Sequence, residues 1–586
     1  LSNKSLAIRH GDQLVDDNVN VRTLAELIRR TANDNGNNGI MYIKPDAKNH
    51  FQTYLELLDQ AERVLAGLRK IGVKAQDRVI LQFQDSQDFI ESFWGCIIGG
   101  IIPVPVSVPK TYKGINNETS TLYNVWEMLD KPIILTNENS EKSVVSLSEN
   151  FDFETSNVKA LEDIKLNGRD LNWHNSSPDD LALLLFTSGS SGKPKGVRLT
   201  HGNLVARQKG TIQMNQFTSQ DISLNWMPLE HVGGLVMFHI RDMYVGCNQI
   251  QVKTEMLLMD PRKWIDLIST HQCSVTWAPN FAFGLVNESI EKSGGRDWDL
   301  SSMRFILNGG EQVNPQTAQT FLKLLNQYNL SAESMFPAWG MSETCSGVIY
   351  SDTFYKEGDA GIQQLQKDSL QGKVKRTSKE SEGIRFTEVG RPIPGVSMRI
   401  VNSRDQVLEE DMIGRIQLRG SCVTKGYFKN EALNQEVFNE EGWFETGDVG
   451  FISKGRLTII GRSKEEIIIN GINFSNQDIE SSVEQIEGIE KTYTAACAVQ
   501  NEEKDGDELI IFYCSHYDEK DQINQQIKKI KGKISSGFGI KPKSVIPVSR
   551  EEIPKTSIGK IQRSKLAERY KNKKYVSITE GIEKTD

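Results

Sequence analysis

The stretch LALLLFTSGSSGKPKGVRLTHGNL, residues 181–204, joins an apolar run to a loop of glycine, hydroxyl and lysine side chains. Its first six residues, 181–186, have the composition of a buried strand. Glycines in the loop let backbone N–H groups point toward one spot without interference from a Cβ atom. Hydroxyl donors and lysine charges around that spot suit an anion. The stretch therefore predicts a phosphate-binding loop formed by Thr187, Ser188, Gly189, Ser190, Ser191, Gly192, Lys193 and Lys195.

Two common loop motifs do not match this stretch. The Walker pattern GxxxxGK[ST] fails because Gly189 lies three residues, not five, before Gly192, and because Pro194 follows Lys193. The nucleophile-elbow pattern GxSxG fails because Lys193 stands where its second glycine is required. The sequence therefore indicates a phosphate loop of another class.

Size, charge and cysteine content exclude several kinds of function. A chain of 586 residues is too long for a single core and predicts two or more domains. The net charge of -8 argues against a general affinity for nucleic acid. Seven cysteines without a CxxC pair fit the reduced thiols of a cytoplasmic protein. The cysteines and histidines do not cluster in the sequence, which argues against a structural zinc site.

The most apolar run of the chain is FWGCIIGGIIPVPVSVP, residues 93–109. Pro103 and Pro105 interrupt it, and it is short for a bilayer crossing. We expect a buried helix that leads into a strand, and no membrane span.

Alternating patterns predict the fold class. Short apolar runs at 78–83, 181–186, 274–279 and 303–310 alternate with helical patterns such as the one at 54–72. This order is typical of an α/β fold with layered sheets, in which ligand sites lie where the strands end. From about residue 390, short strand patterns joined by turns predict a small β-barrel-like part, and a compact α+β unit follows it. We expect a large N-terminal domain over 1–462, a small C-terminal domain over 463–575 and a linker tail over 576–586.

Six motifs occur in the order known from one enzyme family. They are FTSGSSGKPKGVRLTHGNL (186–204), NGGEQV (308–313), AWGMSET (338–344), GWFETGDVG (442–450), GRSKEEIIING (461–471) and PKTSIGKIQR (554–563). Together they resemble the adenylate-forming superfamily of acyl-CoA synthetases, fatty acyl-AMP ligases, peptide-synthetase adenylation domains and luciferases. The resemblance covers roughly residues 20–575. It implies a ligase that uses ATP and Mg²⁺ to convert a carboxylic acid into acyl-AMP and pyrophosphate, with a mobile C-terminal domain.

The resemblance also implies roles for single residues. Lys560 matches the catalytic lysine between the substrate carboxylate and the α-phosphate, and Glu343 matches the acid that helps to hold Mg²⁺. Asp448 and Arg462 would bind the ribose, and Lys464 would be the hinge between the domains. The adenine pocket would comprise Gly309, Gly310, Glu311, Ala338, Trp339, Gly340, Met341 and Ser342.

The region WMPLEHVGGLVMFHIRD, residues 226–242, bears on the choice of acid. Family members that activate amino acids commonly carry an aspartate here for the α-ammonium group, but no aspartate occurs between Asp221 and Asp242. A buried ammonium group without a partner is costly, so an ordinary α-amino acid is disfavoured. We expect an apolar acyl or aryl pocket formed by His231, Val232, Gly233, Phe281, Phe283 and Met335.

The long polar segment 350–386 bears on the acyl acceptor. It resembles an insertion of fatty acyl-AMP ligases, which implies transfer to the phosphopantetheine thiol of an acyl or peptidyl carrier protein; a solvated loop is the alternative. The runs PVPVSVPKTYKG (103–114) and MPLEHVGG (227–234) resemble loading domains of hybrid polyketide and peptide synthetases. Residues 528–574 hold fifteen Lys and Arg against three acids, which suits either a solvated face or a surface for an acidic partner.

Three alternatives remain open at this point. They are a ligase that uses free CoA, an adenylation domain that activates amino acids, and a non-catalytic relative that binds a nucleotide.

Overall fold

The computed structural model describes residues 5–15, 20–45, 48–188, 194–355, 357–366, 372–378, 383–462, 467–469, 472–474, 476–500, 507–556 and 559–575. The strands are β1 (Ile8–His10), β2 (Gly39–Ile43), β3 (His50–Thr53), β4 (Arg78–Leu81), β5 (Ile102–Pro105), β6 (Ile133–Thr136), β7 (Val158–Ala160), β8 (Leu181–Ser188), β9 (Pro194–Thr200), β10 (Ile222–Asn225), β11 (Asn248–Val252), β12 (Val275–Ala278), β13 (Phe305–Asn308), β14 (Met335–Met341), β15 (Ser346–Tyr350), β16 (Ile362–Gln366), β17 (Gly383–Pro392), β18 (Val396–Val401), β19 (Gly414–Gly420), β20 (Phe444–Ser453), β21 (Arg456–Arg462), β22 (Ile467–Ile469), β23 (Ile472–Phe474), β24 (Ile489–Gln500), β25 (Asp507–Ser515) and β26 (Ser544–Pro547).

The α-helices are α1 (Leu24–Asp34), α2 (Tyr54–Lys70), α3 (Ser86–Ile98), α4 (Asn117–Met128), α5 (Glu138–Val145), α6 (Leu161–Ile164), α7 (His201–Asn215), α8 (Arg241–Val245), α9 (Thr254–Met259), α10 (Arg262–His271), α11 (Asn280–Ser293), α12 (Pro315–Asn326), α13 (Glu431–Val437), α14 (Asn476–Glu484), α15 (Lys520–Phe538) and α16 (Arg563–Lys571). A π-helix spans Gly233–Ile240.

The largest sheet runs in the order β1-β18-β19-β20-β21-β17-β15-β14-β13-β12-β10-β11-β2-β3. Six neighbouring strands of this sheet, in the order β14-β13-β12-β10-β11-β2, pair in parallel. The rest of the sheet is antiparallel: β15 pairs with β17, β17 with β21, β21 with β20, β20 with β19, and β19 with β18. The parallel half therefore presents several strand ends at one edge, where α/β folds bind ligands.

A second, four-stranded sheet has the order β5-β4-β6-β7 and is parallel throughout. Leu184 of β8 packs into its core beside Ile80 and Ile102. The apolar run 93–109 forms the buried end of α3 followed by β5, as predicted. In the described part of the chain, no helix is long and apolar enough to cross a membrane.

The polar segment 350–386 is not entirely loop. Within it, β16 pairs antiparallel with β17, a strand that lies between β21 and β15 in the large sheet. The predicted alternative of a simple solvated loop is therefore wrong for the described strand.

The C-terminal part of the chain, from residue 476 to 575, contains the three-stranded sheet β24-β25-β26. Ile479 of α14 and Ile530 of α15 pack on one face of this sheet, and Leu566 of α16 packs on the other. The predicted α+β character is therefore present. The division at 462/463 stays a prediction, and the tail 576–586 lies outside the described residues.

Truncation of Ile530 tests the packing of α15. Ile530 is fully buried between the helix and the sheet, so Ile530→Ala leaves a cavity and destabilises this layer by about 2–5 kcal/mol. We expect faster amide hydrogen exchange in β24 and β25 and unchanged exchange in β12 and β13. Lys529→Ala, on the exposed side of the same helix, is the control and changes neither region. Equal exchange rates in the two variants would contradict the packing.

Candidate active site

The predicted adenine-pocket residues lie together at the ends of β13 and β14. These strands are parallel neighbours, with Asn308 opposite Pro337, so the motif after β13 lies beside the second half of β14. A Cβ atom on Gly309 would lie 2.7 Å from the carbonyl oxygen of Ala338. On Gly340 it would lie 1.9 Å from the carbonyl oxygen of Ser346. Glycine at these two positions therefore permits the close backbone approach that forms this edge.

Trp339, Asp448 and Arg462 form one connected group. The Trp339 Nε1–H donates to Asp448 Oδ2 at 2.9 Å, and Arg462 Nε lies 3.0 Å from Asp448 Oδ1. Asp448 and Arg462 face each other across β20 and β21, which explains why two residues from different motifs meet. The sequence pointed to this carboxylate and this arginine but not to the indole contact, because 109 residues separate Trp339 from Asp448.

Glu343 lies in the short 3-10 helix Ser342–Thr344 that follows β14. Its Oε1 accepts a hydrogen bond from the hydroxyl group of Tyr427 at 2.7 Å. Burial, followed by the negative charge of Glu343, raises the pKa of Tyr427, so the phenol stays protonated and donates. Tyr427 is a site residue that the sequence reasoning missed, and no charge or spacing pattern around it marks it.

The strands that flank the predicted phosphate loop lie close to Tyr427. β8 and β9 are antiparallel, with Thr187 opposite Lys195, so Thr187 and Ser188 belong to the strand rather than to the loop. Lys195 Nζ lies 5.7 Å from the centre of the Tyr427 ring. The end of the hairpin is therefore beside Glu343. Gly189, Ser190, Ser191, Gly192 and Lys193 lie outside the described residues.

His231 stands at the start of the π-helix in the predicted acid pocket. Its Nδ1 accepts the N–H of Gly233 at 3.0 Å, and its ring stacks on Trp277 with 6.2 Å between centroids. Burial, aided by the charge of Lys560, lowers the pKa of His231 to about 4. The imidazole is therefore neutral near pH 7, with its proton on Nε2. Only glycine fits at 233, since a Cβ atom there would lie 2.2 Å from Trp277.

The other predicted acid-pocket residues differ in their surroundings. Phe283 is fully buried, with its ring against Trp264 and Phe321, and Met335 is 1% exposed in the same core. Val232 is buried in a neighbouring cluster. Phe281 is only partly buried. The pocket role of these four residues stays a prediction, and for Phe283 and Met335 the structure shows core contacts.

Lys560 lies in a tight turn of the C-terminal part. The Thr556 N–H donates to the Lys560 carbonyl oxygen at 2.8 Å, and the Lys560 N–H donates to Thr556 Oγ1 at 3.1 Å. The positive charge of Lys560 contributes to the lowered pKa of His231 and opposes the rise that burial causes in the pKa of Glu311. The turn therefore faces the strand ends of the N-terminal part. Lys464, the predicted hinge, lies outside the described residues.

Comparison with known proteins identifies the family. The model described as "AMP-binding enzyme" matches residues 28–428, and one described as "Disco-interacting protein 2-like, AMP domain" matches residues 464–580. The curated Nonribosomal peptide synthetase apvA of Aspergillus terreus (strain NIH 2624 / FGSC A1156) is 30% identical over 541 residues, covering 90% of this chain and 55% of apvA. The chain spans about half the length of the curated relatives it matches.

Two solved structures resemble nearly the whole chain. The structure of McyG A-PCP complexed with phenylalanyl-adenylate is 40% identical with a TM-score of 0.89, covering 98% of this chain and 100% of that one. The adenylation, ketoreductase and pseudo Asub multidomain structure of a keto acid-selecting NRPS module is 38% identical with a TM-score of 0.94, covering 98% of this chain and 48% of that one. These matches confirm the fold class that the sequence predicts. By the family model that matches residues 28–428 and by these relatives, the chain belongs to the AMP-binding family of adenylate-forming enzymes.

Proposed function

We propose that this enzyme adenylates a carboxylic acid without an α-ammonium group and passes the acyl group to the phosphopantetheine thiol of a carrier protein. The observation that carries the proposal is the position of Lys560. Gly559, the residue before Lys560, packs against Phe281 of the N-terminal part, and the charge of Lys560 contributes to the lowered pKa of His231. A cation delivered to that place suits a reaction in which two anions must meet.

In the proposed first step, a carboxylate oxygen of the acid attacks the α-phosphorus of ATP. The bond from that phosphorus to the bridging oxygen breaks, and pyrophosphate leaves with the electron pair. The Lys560 ammonium group would lie between the carboxylate and the α-phosphate and neutralise both. Since burial and Lys560 keep His231 neutral, its ring does not compete with Lys560 for the carboxylate.

The ATP would lie along the edge formed by β13 and β14. The Trp339 ring offers a flat face for adenine, and Asp448 offers oxygen atoms to the ribose hydroxyls. Both oxygens of Asp448 already have a partner, from Trp339 and from Arg462, which holds the carboxylate in one orientation.

Magnesium would be bound by Glu343 together with phosphate oxygens and water, and it would supply positive charge near the phosphates. In the described part of the chain, no group of three or more His, Cys, Asp or Glu side chains could hold a metal ion. A site with one protein carboxylate, hydrogen-bonded by Tyr427, fits an ion that arrives with the nucleotide.

The charges around residues 221–242 favour an acid without an ammonium group. Asp221 binds Arg304, and the fully buried Asp242 binds Arg241. Burial, with the charge of Glu255, raises the pKa of Glu230 to about 7. Similarity to a keto acid-selecting module supports an α-keto acid with an apolar or aryl side chain.

An aryl α-amino acid is the second candidate substrate, since the McyG structure, 40% identical, contains phenylalanyl-adenylate. The carrier as acceptor is supported by the A-PCP composition of that structure and by the peptide synthetases among the curated relatives. Free CoA remains the competing acceptor.

One test of the proposed function concerns the identity of the acid and the role of Lys560. ATP–pyrophosphate exchange measured with α-keto, aryl, fatty and amino acids should be greatest with an aryl or alkyl α-keto acid. Lys560→Ala should lower this exchange about 10²- to 10³-fold because the charge between the two anions is lost. Lys571→Ala, which removes an exposed lysine of α16, is the matched control. Greater exchange with phenylalanine would favour the second candidate, and undiminished exchange in Lys560→Ala would refute the assigned role.

Another test of the proposed function concerns nucleotide binding. Asp448→Asn removes a charged acceptor, and we expect the KM for ATP to rise about 10- to 100-fold. Trp339→Phe keeps a stacking face but loses the hydrogen bond to Asp448, so we expect a smaller rise of about 2- to 10-fold. The measurement is pyrophosphate exchange at varied ATP with the acid saturating. An unchanged KM for ATP in both variants would show that this group does not bind the nucleotide.

A further inference from the structure

The described part of the Lys560 loop, residues 554–556 and 559–563, touches the N-terminal part at one defined place. Gly559 has a φ of +82°, in the left-handed region, and a Cβ atom there would lie 2.9 Å from the Phe281 ring. The ring therefore packs directly against the backbone next to Lys560. This is a different role from the acid pocket that the sequence suggested for Phe281.

Glu311 holds the backbone of Phe281 in place. The Phe281 N–H donates to Glu311 Oε1 at 2.6 Å, which ties the start of α11 to the residue that follows Gly310. Asn280 Oδ1 accepts the N–H of Asn314 at 3.1 Å and strengthens the same corner. The Phe281 ring is thus presented from a fixed backbone.

Glu311 also faces the positive charges of the Lys560 loop. Burial raises the pKa of this carboxyl, while the Phe281 N–H and the charges of Lys560, Arg563 and Lys555 act against the rise. Two lysines of the loop and Arg563, at the start of α16, therefore favour the ionised form of a single carboxyl of the N-terminal part. The glutamate was predicted as part of the adenine pocket, but its described contact goes to Phe281.

Two of these cations are anchored within the C-terminal part. Arg563 makes a bidentate pair with Glu480, with both nitrogen–oxygen distances at 2.6 Å. Lys555 Nζ lies 3.2 Å from Thr492 Oγ1 and 3.3 Å from the centre of the Tyr493 ring. These contacts hold the side chains of Arg563 and Lys555 in defined positions.

We infer that Glu311 and Phe281 form the docking point that positions the Lys560 loop for adenylation. The inference rests on the proposed function for its catalytic consequence. Phe281 contacts Gly559 and so limits how closely the loop approaches the N-terminal part. Glu311 orients Phe281 and attracts the cations. Glu311 is a positioning residue, because it acts on the reaction through the placement of Lys560.

The two half-reactions separate this role from a general structural one. Adenylation is measured as acid-dependent ATP–pyrophosphate exchange. Thioester formation is measured by supplying a synthetic acyl-adenylate and following acyl transfer to pantetheine. Glu311→Gln keeps the size of the side chain and removes its charge. We expect its kcat for exchange to fall about 10- to 100-fold, since a displacement of about 1 Å is enough to cause such a loss. The transfer rate should stay within about twofold of the wild-type rate, because transfer does not need Lys560 at the α-phosphate.

Gly559→Ala tests the same contact from the other side. Its Cβ atom would meet the Phe281 ring, so it should show the same loss of exchange and the same preserved transfer. Glu333→Gln, an exposed carboxylate of the N-terminal part, is the matched control and should change neither half-reaction. If either docking variant lost both half-reactions together, or neither, the inference would be overturned.

Amide hydrogen exchange gives a readout that needs no acid substrate. In the full chain without ligands, peptides covering 276–284 and 553–563 should exchange faster in Glu311→Gln than in the wild type. Unchanged exchange in both peptides would overturn the docking point. Failure of the proposed function appears differently, as absence of pyrophosphate exchange in the wild type with every acid tested.

Discussion

The parallel pairing of β13 with β14 is the constraint on which the rest of the site depends. Its register sets Ile306 opposite Met335 and Asn308 opposite Pro337, so β13 ends while β14 continues to Met341, and the residues after β13 lie beside the second half of β14. Gly309 lets the backbones approach where a side chain would collide with Ala338. Glu311 follows β13 closely, and Trp339 lies within β14.

Each carboxylate of the site is held by a partner from a distant part of the chain. Glu343 is bound by Tyr427, Asp448 by Trp339 and Arg462, and Glu311 by the backbone of Phe281. Such contacts orient the acceptors before any ligand binds, which lowers the cost of reorganisation during a reaction. Lys560, the cation proposed for the chemistry, comes from the other part of the chain.

Much of the site could be read from the sequence because the motifs are local. Gly309 and Gly310 follow a buried strand, and Asp448 and Arg462 belong to a strand pair whose register brings them together. The contacts of Tyr427 and Phe281 could not be predicted. Tyr427 reaches Glu343 across 84 residues of chain, and Phe281 uses its backbone N–H, which carries no signature in the amino-acid sequence.

The sequence alone determined the family and the α/β class, because these depend on short motifs and on the period of apolar residues. It also predicted the residue types that would meet a nucleotide and an acid. Only the tertiary structure decided which side chains touch. It placed Phe283 in the core and Phe281 against Gly559, although the two phenylalanines are separated by a single residue. The physical reason is that α11 turns successive side chains to different faces, and only the packed neighbours decide which face meets the core and which meets the C-terminal part.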